Sequence, residues 1–315
     1  MPALTLLAAC APAAAAPVAA APPEAPPACA DDGEPYEPEA LRARVAQLAA
    51  PALDGRAAGS PGDVAARSYL AERFRCLGLV PAGADGYAQP FIADGHPTAN
   101  LVGYLPGRDA AAARDIIVVG AHHDHLGAGH LGANDNASGV AALLAIAQAL
   151  HRAPPRRTVA FVAFGGEELG LLGSAYFAAH PPAALPLDRI VYDINLDMVG
   201  SHGSTGAVAA MGTFPGLPAT PIVQALAAAH PGLHVGLGGR GVGSDHEAFC
   251  QAGIPYVFLW TPDRRCYHQR CDTTARLDTA HLAAIAALAG ELVARLGDAP
   301  ADLAASRAQL GCRGR

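Results

Sequence analysis

The stretch DIIVVGAHHDHLGAGHLGANDNASGVAALLAIAQAL, residues 115–150, contains the pattern that decides the fold. It begins with an apolar, β-branched run at 115–121, which predicts a strand buried on both faces. It ends with an Ala- and Leu-rich run at 137–150, which predicts a helix. Between the two runs lies a polar loop, in which Asp135 stands between two Asn residues just before a buried helix. The stretch therefore indicates a strand, a polar turn and a helix that returns along the sheet.

The same alternation continues along the chain. Three further apolar runs, at 157–164, 189–199 and 253–260, predict strands, and helical runs lie between or after them. Strands that are apolar on both faces and alternate with helices are typical of a parallel sheet covered by helices. We therefore predict an α/β fold, a three-layer α/β/α sandwich around a mainly parallel mixed sheet.

The domain boundaries are predicted from composition. Two amphipathic helices are expected ahead of the first strand, at 38–49 and 64–79. The folded, catalytic domain is predicted to span 38–298, without an internal linker or repeat. It is preceded by an Ala- and Pro-rich segment at 1–37 and followed by a tail at 299–315.

The overall charge limits the classes of partner. The chain has 315 residues, a formal net charge of −7 and no Lys, and its densest basic segment is HRAPPRR at 151–157. Binding to nucleic acid phosphates requires clustered Lys and Arg. The composition therefore excludes nucleic acid as an expected partner.

The N-terminal segment contains Leu7-Ala8-Ala9-Cys10, which resembles a bacterial lipoprotein box. No positive charge precedes the apolar run, so ordinary low-complexity sequence is the alternative to an export signal. We expect export to the periplasm or the medium, or anchoring to a membrane through a lipid on Cys10. Six further Cys remain to pair, which suits an oxidising compartment, and Cys266 and Cys271 are the favoured pair because CYHQRC is a short local loop.

Polar residues cluster where the predicted strands end. They are His122, Asp124, Asp135, Glu167, Glu168, Asp197 and His268. In a sheet of this kind, ligands bind beyond the carboxyl ends of the strands. Five of them, each at the tip of a separate element, are donors of the type that zinc prefers: His122, Asp135, Glu168, Asp197 and His268. Glu167 is then left over, and such a surplus carboxylate can take the proton from an attacking water.

Each of these residues also has a purely structural interpretation. Asp135 could cap the following helix, as could Asn136 or Ser138. Adjacent Glu residues are common on exposed helix faces. The chain also offers alternative histidines, namely His123, His125, His130 and His246.

Six motifs in this order resemble a known family. They are GAHHDHLG, GANDNASG, FGGEELGLLGS, NLDMVG, GSDHEAF and YHQRCDT. They are similar to the motifs of the co-catalytic zinc aminopeptidases related to bacterial leucyl aminopeptidase, whose superfamily includes glutamate carboxypeptidase II, the transferrin receptor and glutaminyl cyclase. The resemblance covers roughly residues 40–298.

The resemblance implies two zinc ions bridged by Asp135. His122 and Asp197 would hold one ion, and Glu168 and His268 the other. It implies that Glu167 is the general base, that Asp124 orients His122 as a carboxylate behind a ligating imidazole, and that the substrate is a peptide with a free N-terminus.

Other functions on the same fold stay open at this point. A glutaminyl cyclase is an acyltransferase with one zinc, and a receptor module would have lost ligands or the base. A related exopeptidase with a lid domain would need more than the 71 residues between Asp197 and His268 (268 − 197).

The walls of the substrate pocket are predicted in the Gly-rich segments 203–214 and 236–246. Asp245 could contact the substrate amine or, like Ser244, cap a helix. The family's oxyanion-stabilising residue has no match in GRGVGSDH, which lacks Tyr.

Overall fold

The protein is described here from a computed structural model. It describes residue 29 and residues 33–200, 206–263, 265–307 and 309. The predicted lipid anchor at Cys10, the rest of the export segment before residue 29, and residues 203–205 of one predicted pocket wall lie outside the described residues.

In the part of the chain that the structure describes, nine strands form one mixed sheet. Their bounds are β1 Val80–Pro81, β2 Ala88–Ala93, β3 His96–Leu105, β4 Ile116–His122, β5 Thr158–Phe164, β6 Ile190–Leu196, β7 Ala207–Met211, β8 His234–Leu237 and β9 Tyr256–Trp260. The order across the sheet is β1-β3-β5-β4-β6-β9-β7-β8, with β2 paired to β3. The four central strands β5, β4, β6 and β9 are parallel to each other, whereas β3 and β7 are antiparallel to their neighbours in this group.

Among the described residues, seven α-helices cover the sheet. Their bounds are α1 Pro38–Leu48, α2 Pro61–Cys76, α3 Gly139–Arg152, α4 Leu172–Ala179, α5 Ala219–Ala229, α6 His246–Gln251 and α7 Thr279–Asp298. On one face, α1, α2, α3, α5 and α7 share a large apolar core with the sheet, and on the other α4 and α6 share a smaller one. The predicted three-layer sandwich around a mainly parallel sheet is confirmed.

The central strands are buried because their side chains serve both cores. Every residue of β4 is buried; Ile117 and Val119 contribute to the larger core, and Ile116 and Val118 to the smaller one. Since neighbouring side chains of a strand point to opposite faces, a continuous apolar run is needed where both faces are covered. The β-branched run at 115–121 meets this requirement.

The long C-terminal helix belongs to the core. By length and composition α7 could cross a membrane, but 67% of its most apolar window is buried inside the protein. It packs against α1, α3 and α5, and Leu282, Leu288 and Leu292 are wholly buried. Its apolar character is therefore explained by core packing.

Residues beyond α7 also contact the folded domain. Leu303 is buried, and the Arg307 guanidinium donates hydrogen bonds to the backbone oxygens of Leu187 and Ile190. The division into segments 1–37, 38–298 and 299–315 stays a prediction.

Candidate metal centre

The carboxyl ends of the central strands bring the predicted residues together. His122 is the last residue of β4, and Asp197 follows the last residue of β6. Glu167 and Glu168 follow β5 after a Gly165-Gly166 turn, and His268 lies in the loop after β9. Because these strands are parallel and adjacent, their ends meet at one edge of the sheet.

One cluster forms around the imidazole of His122. Its Nε2 atom lies 3.4 Å from Asp135 Oδ1 and 3.3 Å from Asp197 Oδ1. All three residues are buried. The Asp197 carboxylate is fixed from behind, because the Ser244 hydroxyl donates to its Oδ2 at 2.7 Å and Asn195 donates to that hydroxyl.

A second cluster forms around His268. Its Nε2 atom lies 3.2 Å from Asp135 Oδ2 and 3.1 Å from Glu168 Oε2. Asp135 therefore presents one carboxylate oxygen to each imidazole. The His268 side chain is 33% exposed, so this cluster is open to solvent on one side.

The spacing within both clusters fits zinc. In a tetrahedral site with bonds of about 2.0–2.1 Å, neighbouring ligand atoms are about 3.3 Å apart. The four contacts that His122 and His268 make with the three carboxylates range from 3.1 to 3.4 Å. The donors are imidazole nitrogen and carboxylate oxygen, the types that zinc accepts.

The electrostatics of the edge favour positive charge. Burial lowers the pKa of His122, but the carboxylates of Glu167 and Asp197 outweigh it and hold the pKa well above its ordinary value. Hydrogen bonds to Asp135 and Glu168 raise the pKa of His268 to about 10. The carboxylates at this edge thus draw positive charge toward it, either as protons on imidazole or as a cation.

Asp124 is placed differently from the expected carboxylate behind His122. The His122 Nδ1 atom is 3.2 Å from the backbone oxygen of Asp124, whereas the nearest carboxylate oxygen is 3.8 Å away. The Asp124 carboxylate accepts hydrogen bonds from the backbone N–H groups of Glu167 and Glu168 instead. It therefore links the end of β4 to the turn that carries both glutamates.

The two Asn residues beside Asp135 fasten its loop to the segment after Asp197. Asn136 donates to the backbone oxygen of Leu196 and accepts from Met198, and Asn134 accepts from the N–H of Gly200. Asn136 Oδ1 also accepts from Gly139 N–H at the start of α3. Asn136 thus supplies a side-chain acceptor at the start of this helix, and the Asp135 carboxylate faces the two imidazoles.

Two further residues hold this loop, and the sequence analysis missed both. The Asp272 carboxylate accepts hydrogen bonds from the backbone N–H groups of Asn134 and Asp135, at 2.7 and 3.0 Å. The guanidinium of Arg56 is fully buried and donates to four backbone oxygens. Its acceptors are Leu48, His123, Leu131 and Gly132. Asp272 lies within the YHQRCDT motif and Arg56 within the range 40–298 that the resemblance covers, but neither was assigned a role.

The alternative histidines occupy other positions. His123 is paired with the buried Asp63 at 3.0 Å, and His130 contacts its own loop at the backbone oxygen of Gly127. His246 is stacked against Phe258 and lies behind the cavity wall. His125 is the exception, because its Nδ1 lies 2.7 Å from Glu168 Oε1.

A cavity of about 510 Å³ opens beside the two clusters. Its polar side carries Asp135, Glu167, Asp197 and His268. The remaining wall is largely apolar and includes Met198, Met211, Val242, Phe258, Trp260 and Tyr267. Both predicted wall segments contribute, through Met211 and through residues 240–243. Asp245 is wholly buried, is absent from the lining and makes no side-chain cap to α6.

The predicted disulfide is present. Cys266 and Cys271 are joined with an S–S distance of 2.06 Å, and the bridge spans the loop that contains His268. Cys29, Cys76 and Cys250 are disulfide-bonded as well. None of these sulfurs is therefore a free thiolate that could bind a metal.

Known proteins resemble this chain in sequence. The pattern described as Peptidase family M28 matches residues 100–293. Leupeptin-inactivating enzyme 1 of Streptomyces exfoliatus is 32% identical over 269 residues, which are 76% of this chain and 58% of that protein. Aminopeptidase YwaD of Bacillus subtilis is 36% identical over 151 residues, which are 46% of this chain and 32% of that protein. The matched part thus spans between about a third and three-fifths of these relatives.

Solved structures show the same fold. A zinc aminopeptidase from Bacillus subtilis matches with a TM-score of 0.71 and 19% identity, over 86% of this chain and 98% of that one. A glutaminyl cyclase from Bacteroides thetaiotaomicron matches with a TM-score of 0.65 and 20% identity, over 82% of this chain and 98% of that one. The likeness extends over nearly the whole length of both structures.

Proposed function

Since the chain belongs to peptidase family M28, we propose that it is an aminopeptidase that hydrolyses the N-terminal bond of peptides at a two-zinc site. The observation that carries the proposal is the division of Asp135 between two clusters. Its Oδ1 atom faces His122 and its Oδ2 atom faces His268. A shared carboxylate of this kind is suited to bridging two cations.

The proposed ligands divide evenly between the two ions. His122 and Asp197 would hold one, Glu168 and His268 the other, and Asp135 both. Zinc, when bound, polarises the scissile carbonyl and lowers the pKa of water toward neutrality.

Glu167 is the proposed general base. It borders the cavity, and its Oε2 atom lies 4.0 Å from His122 Nε2. Burial, reinforced by the charge of Asp197, raises the pKa of Glu167 above its ordinary value. A zinc ion bound beside it would favour the ionised carboxylate, which could then take a proton from the attacking water and pass it to the leaving amine. Asp124 would support this role by holding the backbone of the Glu167 turn.

Tyr267 is the proposed source of oxyanion stabilisation. It lines the cavity next to His268, and its ring stacks on that imidazole with centroids 3.8 Å apart. Burial, with the nearby carboxylate of Asp135, raises the pKa of Tyr267 to about 12. The phenol therefore stays protonated at neutral pH and can donate a hydrogen bond to developing negative charge.

The cavity also supports a proposal for the substrate. In the proposed site the charges of two zinc ions and four carboxylates would balance, so a free N-terminal amine would be selected as a nitrogen donor to the metal, which an acetylated N-terminus lacks. The apolar wall, with Met198, Phe258 and Trp260, is suited to an apolar N-terminal side chain. We therefore expect peptides with a free N-terminus and an apolar first residue.

We also propose that the protein is exported. It is supported by the disulfide bonds at Cys266–Cys271, Cys76 and Cys250, because such bonds persist in oxidising compartments. The proposal includes a periplasmic, secreted or lipid-anchored location, the last through Cys10.

The test compares the purified full chain with Glu167→Gln and with the exposed, matched control Glu39→Gln. Each would be assayed on aminoacyl-p-nitroanilides, their N-acetylated counterparts and an N-terminal glutaminyl peptide, with zinc quantified in the same samples. We expect cleavage of free-amine substrates only, with two zinc ions per chain. In Glu167→Gln, kcat should fall roughly 100- to 10,000-fold with zinc retained, since this is the range for general base catalysis.

Other outcomes would contradict the proposal. Pyroglutamate formation with a single zinc would assign the protein to the glutaminyl cyclases. Zinc binding without turnover of any substrate would identify a non-catalytic module.

A further inference from the structure

We propose that His125 is a positioning residue, which fixes the Glu168 carboxylate so that only one of its oxygens is available to the second zinc ion. The inference rests on the two-zinc site proposed above. It concerns a histidine that the sequence analysis treated as one of several alternatives to the ligands.

The distances separate His125 from the proposed ligands. His125 Nδ1 lies 2.7 Å from Glu168 Oε1, which is the length of a charge-assisted hydrogen bond. The proposed ligand atoms of Glu168 and His268 are 3.1 Å apart, close to the spacing of two atoms on one zinc ion. His125 Nδ1 is also 3.9 Å from the bridging carboxylate of Asp135. These values describe a donor to a ligand rather than an additional ligand.

The two oxygens of Glu168 are thereby given different partners. Oε1 faces His125, and Oε2 faces His268. A carboxylate with one oxygen engaged by a donor cannot rotate freely, so the other oxygen keeps its direction. Outer partners of this kind orient metal ligands and raise the affinity of the site.

The His125 ring is held in a fixed place. It is buried, and a Cβ on Gly132 would lie only 2.6 Å from His125 Cγ, so glycine is required where the ring passes the backbone. Gly132 has a φ of +61°, a conformation that also favours glycine. The edge of the ring faces His268 with centroids 5.8 Å apart. Within the described residues Nε2 has no hydrogen-bond partner, and because an ionised carboxylate can only accept, Nδ1 donates the hydrogen bond to Glu168.

The experiment measures the affinity of each zinc ion separately. Wild type, His125→Leu and His125→Asn would be titrated with zinc against a competing chelator, and with Co²⁺ to record the d–d spectrum. Asn places a donor near the Nδ1 position, whereas Leu removes it. We expect His125→Leu to weaken the second zinc by roughly 10- to 100-fold and to leave the first unchanged, and His125→Asn to restore most of the loss.

Controls separate a positioning role from a structural one. His130 lies in the same loop and its imidazole is hydrogen-bonded to the backbone oxygen of Gly127, so His130→Leu should not change either affinity. Thermal unfolding of the metal-free variants would identify any general loss of folding. If His125 were instead a ligand, both His125→Leu and His125→Asn would lose the second ion and alter the Co²⁺ spectrum, which would overturn the proposal.

The measurements distinguish a failure of the His125 inference from a failure of the two-zinc proposal. Glu168→Gln and His268→Asn test the site itself, because each removes a proposed ligand. If the wild type binds two ions and these two variants lose one, unchanged affinity in His125→Leu contradicts the His125 inference alone. If the wild type binds fewer than two ions, the two-zinc site of the proposed function is contradicted, whatever the His125 variants show.

Discussion

The two halves of the proposed metal centre use the same chemistry on different supports. The strand half-site consists of His122 and Asp197, and the loop half-site of Glu168 and His268; both use Asp135. His122 ends β4 and is 1% exposed, whereas His268 lies in a disulfide-closed loop and its side chain is 33% exposed. The contact distances are nearly equal, at 3.3–3.4 Å in the first and 3.1–3.2 Å in the second.

The difference shows where accessory contacts are needed. Strand ends are fixed by the sheet ladder, so the strand half-site requires little beyond the hydrogen bond from Ser244 to Asp197. The loop half-site has His268 in a left-handed conformation, φ +55°, which is costly for a residue with a side chain. It is held by the Cys266–Cys271 bridge, by Asp272 and by His125. We therefore expect the loop half-site to be the weaker of the two.

The largest effect is expected from removing the residue that both half-sites share. Asp135→Asn replaces a bridging carboxylate by an amide, so zinc should be lost from both halves. Since metal catalysis contributes several kcal/mol, kcat/KM should fall by roughly a thousandfold or more. Zinc content and steady-state kinetics measure the effect. Asp94→Asn, in an exposed turn, is the matched control, and retention of two zinc ions in Asp135→Asn would exclude a bridge.

A second prediction orders the two half-sites directly. On dialysis against a chelator, one zinc should leave first, and His268→Asn should lack that ion while keeping the other. His122→Asn should disturb the tighter ion. A difference of at least roughly tenfold in affinity is expected, because exposed loop ligands lack the rigid support of a strand end. Equal release of both ions, or loss of the tighter ion in His268→Asn, would contradict the comparison.

A third prediction addresses the link between the His268 loop and the loop of Asp135. Asp272→Asn removes the charge from two hydrogen bonds to backbone N–H groups, which should lower the free energy of unfolding by about 2 kcal/mol. It should also weaken the second zinc. Asp278→Asn is a suitable control, because Asp278 accepts from His281 N–H at the start of α7. The control should be destabilised, as read from denaturant unfolding, without any change in zinc affinity.

The sequence was sufficient for the parts of the fold that depend on burial. β4, β5 and β6 were predicted because every one of their residues is buried. The β2–β3 hairpin was missed, although Asp94-Gly95 forms its two-residue turn with positive φ at both positions and is a known hairpin pattern. β7 and β8 were also missed, since the Ala- and Gly-rich AVAAM and HVGL have weak strand character.

The sequence was likewise sufficient for only part of the candidate site. Its proposed ligands could be predicted because each follows a strand or opens a helix along the chain. Asp272 could not, because its partner Asn134 N–H is a backbone group 138 residues away and leaves no pattern among the side chains. Arg56 could not be predicted either, because the acceptors of its hydrogen bonds are backbone oxygens. His125 could not be separated from His123 by spacing, since only the structure shows that one contacts Glu168 and the other Asp63.

The smallest effect is expected at the buried pair of Asp63 and His123, the latter being the residue after His122 of the strand half-site. Burial alone would raise the pKa of Asp63, but the hydrogen bond and charge of His123, with Arg67, outweigh it and hold the pKa below its ordinary value. A carboxylate with a depressed pKa stabilises the fold above its unfolded pKa, about 3.9, and loses this contribution as the pH falls through the folded value. The difference in unfolding free energy between wild type and Asp63→Asn should therefore be about 1 kcal/mol at pH 5 and should shrink below about pH 4.

Denaturant unfolding of both proteins across this range measures the difference, and taking the difference removes the titration of the other carboxylates. Within the described residues the Asp63 carboxylate has no hydrogen bond to a proposed ligand, so zinc affinity should be unchanged in Asp63→Asn. A difference that grew as the pH fell from 5 to 3 would mean that burial, not the pairing with His123, sets the pKa of Asp63. A loss of zinc from the strand half-site would mean that β4 alone does not fix His122, and the two half-sites would then depend equally on their surroundings.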